Sequence, residues 1–211
     1  MKSFGSLSLV GCAIALAALF VGSSLAGEKD QPAMSAQDAA HMQEVMQRYM
    51  TPDQHHKNLD PLAGKWDYTS TFWMEPGGEP MTSTGTSENT WAHGGRFLMQ
   101  SVKGTIMGQE FTGTGVTGYD RFNNEYHAYW IDSMGTGYML SSGSANDKGS
   151  VFTFEGTYDD CWTGTKDMWA RTVVSIESPN AHKFEMFQKG ADGKPWKNME
   201  ISYTRAGMAS K

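Results

Sequence analysis

The stretch GKWDYTSTFWM at residues 64–74 decides the fold. Side chains of an extended chain alternate between two faces, so one face of this stretch carries Trp66, Tyr68, Ser70 and Phe72. Aromatic and β-branched residues with a period of two are typical of a strand, which we predict over Lys65–Met74. The turn residues Glu75-Pro76-Gly77-Gly78 follow and end the strand.

The same pattern repeats through the rest of the chain. We predict nine further strands, over Thr82–Ala92, Arg96–Thr105, Glu110–Tyr119, Glu125–Ser133, Thr136–Ala145, Ser150–Tyr158, Asp167–Glu177, His182–Lys189 and Pro195–Arg205. The segments between them are rich in glycine, asparagine and aspartate, and none has the length and periodicity of a helix. Ten hairpin-linked strands hide their edges best by closing, so we predict an all-β fold, a ten-stranded antiparallel up-and-down barrel.

The region before the strands has the pattern of an exported protein. Residues 1–26 are predicted to be a cleavable signal peptide, because an apolar core at Leu7–Val21 precedes the small-x-small exit Ser24-Leu25-Ala26. Cleavage leaves no stable transmembrane span and places the protein in the periplasm or outside the cell. A lipoprotein anchor at Cys12 is the weaker alternative, because Cys12 comes too early and the apolar core continues beyond it. An uncleaved membrane anchor is also weaker, because the apolar run is short for a span.

Four segments follow the signal peptide. We predict a linker over 27–34, a helix and connection over 35–62, the barrel over 63–206 and a tail over 207–211. The helix is amphipathic, and Ser35 is placed to cap it. Two interpretations of it remain open: it packs on the barrel or plugs one end, or it presents a methionine-rich face to a partner.

Composition and charge narrow the classes of function. Apolar residues make up 39% of the 211 residues and charged residues 19%, as in a folded domain rather than a disordered tail or a membrane bundle. The net charge of −6 argues against a nucleic-acid partner, which requires a basic face. After signal cleavage Cys161 is the one cysteine left, so the domain has no internal disulfide.

Several segments carry a resemblance to known proteins. Leu62-Ala63-Gly64-Lys65-Trp66 resembles the opening of calycins, the lipocalin and fatty-acid-binding superfamily. Together with Gly95-Arg96-Phe97-Leu98 and Gly156-Thr157-Tyr158-Asp159-Asp160, among others, it is more closely similar to the bacterial domain-of-unknown-function family 1579. The resemblance implies a calycin-like barrel in which Trp66 lies at the barrel floor under Arg205, and it implies no established activity.

The predicted interior is roomy and partly polar, because aromatic and polar residues mix on the strand faces. We expect a small, partly apolar ligand in the lumen, with candidate contacts from Tyr68, Phe72, Glu88, Trp91, Trp130, Asp132, Tyr158, Arg171 and Tyr203. No catalytic motif is recognised, which favours a binding protein. One alternative is an enzyme that uses Glu88 or Asp132 as general acid or base. Another is an interaction domain that acts through the N-terminal helix.

No cofactor is expected. The six histidines lack the spacing of a metal site, so we predict none. Heme is an alternative with less support, because some relatives with a similar opening bind heme inside the barrel through one histidine. His182 and His127 would be the candidates here.

Overall fold

Ten strands close into one antiparallel barrel in the computed structural model, which describes residues 34–161 and 163–208. Each strand pairs with its neighbours in sequence, and the first pairs with the last. The strands are β1 (Gly64–Phe72), β2 (Met81–Ala92), β3 (Phe97–Ile106), β4 (Gln109–Asp120), β5 (Glu125–Asp132), β6 (Met139–Ala145), β7 (Val151–Tyr158), β8 (Met168–Ser178), β9 (Ala181–Lys189) and β10 (Pro195–Arg205). The predicted all-β class and up-and-down topology are confirmed.

The strand bounds differ from the predicted ones by three residues at most. The largest difference is the start of β6, which lies at Met139 rather than Thr136. Asp132 accounts for part of it, because its Oδ1 accepts a hydrogen bond from the Met134 amide at 2.9 Å. Such a side-chain turn directs the chain away from the sheet, and pairing resumes only after the loop.

The strand registers fix which side chains face the lumen. Trp66 is 1% exposed and lies opposite Ser87 on β2 and Arg205 on β10. Residues directly opposite one another share a face of the sheet, so alternate positions counted from Trp66 around the barrel point inward. A β-bulge between Lys197 and Met199 interrupts this alternation on β10.

The barrel has two ends of different character. We call the floor the end with the start of β1 and the loops at 93–96, 121–124, 146–150 and 179–180. The mouth is the opposite end, with the loops at 73–80, 107–108, 133–138, 159–167 and 190–194. Strands run alternately from floor to mouth and back, so each hairpin loop belongs to one end.

The chain divides into two units, residues 1–41 and residues 42–211, and the second unit contains all ten strands. The described part of the first unit is 34–41 and holds the beginning of helix α1 (Ala36–Met50), where Ser35 Oγ accepts from the Asp38 amide at 3.1 Å. No residue of α1 is buried. Within the described part of the chain, no helix is long and apolar enough to cross a membrane. The predicted signal peptide, Cys12 and linker residues 27–33 lie outside the described residues, as do tail residues 209–211.

A short helical segment at the start of the second unit closes the floor. It consists of helix α2 (Gln54–Lys57) and a 3₁₀ turn (Asp60–Leu62). Leu59 is 1% exposed and packs in one apolar cluster with Tyr126 and Phe152, which are equally buried. The plug is therefore built from the connection after α1, because its leucines complete a core that the strands leave open.

Candidate functional site

The Trp66 ring lies beneath the Arg205 guanidinium at the floor. The Arg205 Cζ atom is 3.8 Å from the centre of the ring. The guanidinium also donates to the carbonyls of Ala63, Pro61 and Pro179, and Trp66 Nε1 donates to the Leu62 carbonyl at 2.9 Å. The pair thus joins both chain ends of the barrel to the plug, and its donors are already engaged by protein carbonyls.

A buried hydrogen-bond chain fills the polar part of the floor half. Asn89 Nδ2 donates to the Leu62 carbonyl at 2.8 Å, and Ser87 Oγ donates to Asn89 Oδ1 at 2.9 Å. Gln100 Nε2 donates to Ser87 Oγ at 3.1 Å, and Gln100 also bonds the Tyr203 hydroxyl. Burial raises the pKa of Tyr203 despite that bond. These satisfied groups make the floor half a packed core.

His182 faces inward but is enclosed by aromatic rings. Its ring stacks on Tyr203 at 4.2 Å between centroids and meets the Trp66 ring edge-on at 4.3 Å. Burial, with a smaller contribution from the Arg205 charge, lowers the pKa of His182 to about 3. His127 lies on the outer face beside Glu125, 3.4 Å away. Neither histidine therefore presents a ring nitrogen beside room for a porphyrin, and the residues do not fit heme.

The mouth half of the lumen has an apolar wall that is only half buried. Its inward-facing side chains come from nine strands: Phe72, Met81, Phe111, Trp130, Met139, Tyr158, Met168, Met186, Trp196 and Met199. The Trp130 ring lies flat on the wall over Gly113, where an added Cβ would come within 2.4 Å of it. The bare backbone at Gly113 is thus what lets the ring fit.

Three polar side chains on the lumen side form a hydrogen-bonded group in which one acceptor, Asn198 Oδ1, has no donor among the described residues. Tyr158 Oη donates to Gln188 Oε1 at 3.1 Å, and Asn198 Nδ2 donates to the same oxygen at 3.3 Å. Asn198 is 3% exposed, and its Oδ1 has no partner within the described chain. A buried acceptor without a partner costs about 1–3 kcal/mol, so a donor brought by a ligand would be stabilised there.

Asp132 supplies the negative charge of the mouth half. Its Oδ2 accepts from Trp130 Nε1 at 2.8 Å, and its Oδ1 accepts from the Met134 amide. These two bonds fix the carboxylate at the end of β5 beside the indole. A carboxylate has about four lone-pair positions, so further acceptor capacity remains.

Seven of the nine predicted lumen residues face inward, but they fall into three groups. Phe72, Trp130, Asp132 and Tyr158 belong to the mouth half. Tyr68 and Tyr203 are buried in the middle, in one cluster with Trp66. Trp91 lies at the floor, where its Nε1 donates to Asp60 Oδ1 at 3.0 Å. Contact of any of them with a ligand stays a prediction.

Two predicted lumen residues are wrong. Glu88 lies on the outer face, because its neighbour Ser87 faces inward, and it pairs there with Lys65 at 3.7 Å. Arg171 also lies outside, between the inward Ala170 and Thr172, and pairs with Glu155 at 2.9 Å. Glu88 and Asp132 are therefore on opposite sides of the barrel wall and cannot serve one catalytic site.

Gln188 and Asn198 are functional candidates that the sequence analysis missed. The alternation on β10 groups Asn198 with Glu200 and Ser202, which point outward. The bulge turns Asn198 inward while Met199 stays inward too. The inward methionines were missed for a simpler reason. Strict alternation places them on the inward face as it does the aromatic residues, but the prediction named mainly aromatic residues.

A second titratable group lies outside the lumen, around Asp53. Burial raises its pKa, but hydrogen bonds from His55 and His56 outweigh this and hold the pKa of Asp53 below its usual value. Arg121 Nε lies 3.1 Å from the same carboxylate. A nearby surface cavity of about 100 Å³ is lined by Tyr49, Met50, Thr51, Pro52, His56, Arg96, Phe97 and Tyr119. No grouping of three histidine, cysteine or acidic side chains suited to a metal occurs among residues 34–161 and 163–208.

Comparisons with known proteins agree with the fold. The family described as Protein of unknown function (DUF1579) matches residues 51–205, and curated proteins give no match. The crystal structure of Rv2717c from M. tuberculosis is similar, with a TM-score of 0.57 and 13% identity over 74% of this chain and 99% of that one. The S-type phycobiliprotein lyase CPES from Guillardia theta gives a TM-score of 0.51 and 11% identity over 74% and 93%. At these identities the likeness shows the barrel fold alone.

Proposed function

Because the chain belongs to the DUF1579 family, whose function is unknown, we propose a function from the barrel itself: the mouth half of its lumen binds a small, partly apolar molecule. The observation that carries this proposal is the contrast between the two halves. The floor half is packed, and its described polar groups bond one another except His182 Nδ1, which is enclosed by the rings of Trp66 and Tyr203. The mouth half keeps half-buried aromatic and methionine side chains around Asn198, whose buried acceptor has no partner among the residues that the structure describes.

The chemistry of the mouth wall suits an apolar ligand. Apolar surface that stays in water costs roughly 25 cal/mol per Å², and a ligand would remove it from water. Methionine side chains adapt to ligands of different shape, and aromatic rings give large flat contacts. The few polar groups at Asp132, Gln188 and Asn198 would then orient the ligand.

The experiment uses a neutral apolar fluorescent probe, N-phenyl-1-naphthylamine, titrated into residues 27–211. We expect saturable enhancement of its fluorescence. Met139→Trp should weaken binding at least tenfold, because Met139 faces the lumen opposite Trp130. Leu140→Trp is the matched control, because Leu140 is the next residue, lies on the outer face and is 50% exposed. Absence of saturable binding, or equal loss in both variants, would contradict the proposal.

Export through residues 1–26 is a separate proposal. It is supported by the apolar core and the small-x-small exit at Ser24-Leu25-Ala26. The intact mass of the protein isolated from its source cells tests it. A mature chain that begins at Gly27 is expected, and an unprocessed chain would contradict it.

A partner for α1 is a second candidate function. Met42, Met46 and Met50 recur every four residues and are 47%, 50% and 58% exposed. Residues at this spacing lie on one side of a helix. Deletion of 27–50 should then abolish association with the partner and leave the barrel folded, because the plug begins only at Gln54. Unfolding of the barrel would instead assign α1 a structural role.

A further inference from the structure

We propose that the mouth selects molecules carrying a protonated amine on an apolar body, because its open polar groups are acceptors and its charge is negative. This inference rests on the proposed function and names the class of ligand. It is carried by three independent features of the described residues: the charges on the lumen face, the unpartnered acceptor at Asn198 and the charges of the mouth loops.

Within residues 34–161 and 163–208, the lumen face offers no free cation to a carboxylate ligand. Among the described inward-facing positions there is no lysine and one guanidinium, that of Arg205. Arg205 lies at the floor, seven residues and roughly 20 Å along β10 from Asn198, and it is engaged by Trp66 and three carbonyls. Lys197 comes closer to the mouth but points outward, where it pairs with Glu185 and Glu200.

The unfilled hydrogen-bond site in the mouth half is an acceptor. Gln188 Oε1 already receives two donors, from Tyr158 and Asn198. Asn198 Oδ1 is buried and receives no donor from the described part of the chain. Only a ligand that brings an N–H or O–H group satisfies it, and a carboxylate cannot.

Asp132 turns that preference for donors into a preference for positive charge. Its carboxylate lies at the mouth end of β5, where hydrogen bonds from Trp130 Nε1 and the Met134 amide hold it in place. An ammonium group gains a charge-assisted hydrogen bond from such a carboxylate. The neighbouring indole adds a favourable electrostatic interaction with a cation.

The mouth loops strengthen the same field. The loops at 73–80, 159–167 and 190–194 carry six carboxylates and two lysines, whereas the four floor loops carry three basic residues and one acidic residue. Like charges around an opening raise the local concentration of the opposite ion. A cationic ligand is therefore attracted to the end of the barrel where the inward-facing side chains are only half buried.

The test compares three molecules with one tail, octylamine, octanol and octanoate, as competitors of N-phenyl-1-naphthylamine at pH 7 and low salt. We expect octylamine to compete at least tenfold more strongly than octanoate and more strongly than octanol. Asp132→Asn keeps the shape of the side chain and one of its two acceptor oxygens but removes the charge, so it should reduce the advantage of octylamine over octanol at least fivefold. Asp67→Asn, an exposed carboxylate on the outer face of β1, is the matched control and should change nothing.

The outcomes separate this inference from the proposed function. Probe binding and octanol competition without an advantage for octylamine would overturn the amine preference and leave ligand binding intact. Octanoate as the strongest competitor, or an equal effect of Asp67→Asn, would also overturn it. A probe that does not bind at all would refute the proposed function itself, and the inference with it.

Discussion

Arg205 and Trp66 join the last strand of the barrel to the first, with the guanidinium carbon 3.8 Å from the centre of the indole ring. The same guanidinium donates to carbonyls of the plug at Pro61 and Ala63 and of the loop at Pro179. One planar cation thus holds the β1–β10 seam, the plug and a floor loop together. Such a contact depends on the flat, forked shape of the guanidinium, which lysine lacks.

Arg205→Lys should therefore destabilise the barrel by about 1–3 kcal/mol, because an ammonium cannot reach three carbonyls while it covers the ring. The measurement is the urea midpoint of unfolding, with the slope checked for constancy. Arg171→Lys is the control, since Arg171 is exposed and pairs with Glu155 on the outer face. It should change stability by less than about 0.5 kcal/mol, and equal losses would refute the special role of Arg205.

Substitutions in the plug should lower the stability of the barrel without changing ligand binding at the mouth. Leu59 is 1% exposed at the floor, so Leu59→Ala should cost about 2–4 kcal/mol through lost contacts and a cavity. Binding of N-phenyl-1-naphthylamine should stay unchanged at temperatures where the variant is folded, because the plug and the mouth lie at opposite ends. Leu140→Ala, at a half-exposed outer position, should leave both quantities unchanged. Loss of probe binding in folded Leu59→Ala would show that the two halves are coupled.

A side chain at Gly113 should displace the Trp130 ring from the wall of the mouth half. A Cβ at this position would lie 2.4 Å from the Trp130 ring, so Gly113→Ala should displace the indole from Asp132 and cost about 1–3 kcal/mol. Near-ultraviolet circular dichroism reports the change in the surroundings of the ring. Gly137→Ala is the control, because no heavy atom of the described residues lies within 4 Å of its added Cβ. An unchanged spectrum in Gly113→Ala would mean that the ring does not rest on this wall.

The barrel was predictable because each strand is bounded by turn residues and its neighbours in sequence are its neighbours in space. Alternation could also have rejected one site residue: Glu88 and Trp91 are three positions apart on one strand, so they cannot both point inward. Asn198 could not be placed in the same way, because nothing in Lys197-Asn198-Met199 signals a bulge. The difference between the packed floor half and the half-buried mouth half could not be predicted from the sequence either, since it depends on how Leu59 and Leu62 fill the floor half.

Because His182 is buried, the stability of the barrel should fall as the pH is lowered from neutral to mildly acidic values. Burial beside Trp66, Tyr203 and Arg205 lowers its pKa to about 3, whereas the unfolded chain has an ordinary histidine value near 6.5. Below pH 6.5 the unfolded chain therefore binds a proton that the folded chain does not, and stability is lost as the pH falls from 6.5 toward 3. The loss should reach about 2 kcal/mol between pH 7 and pH 5.

Urea unfolding of His182→Phe at pH 7 and pH 5 isolates this contribution, because phenylalanine retains a flat ring for Tyr203 and does not titrate. The variant should lose less stability than the parent over that interval. The carboxylates with lowered pKa values, at Asp53, Asp120 and Glu200, titrate below it and are silent in both proteins. An equal loss in parent and variant would assign the pH dependence to other groups.

Two buried asparagines should respond in opposite ways to the same substitution. Asn89 has both amide atoms bonded, to Leu62 and Ser87, so Asn89→Leu should cost about 1–3 kcal/mol by leaving the buried Ser87 hydroxyl without its acceptor, while the Leu62 carbonyl keeps its bond from Trp66 Nε1. Asn198 Oδ1 has no partner among the described residues, and Gln188 keeps its bond from Tyr158, so Asn198→Leu should be neutral or stabilising in urea unfolding. Octylamine competition should nevertheless weaken in Asn198→Leu. That combination marks an acceptor kept for a ligand at the expense of stability, whereas a large destabilisation with unchanged competition would make Asn198 an ordinary core residue.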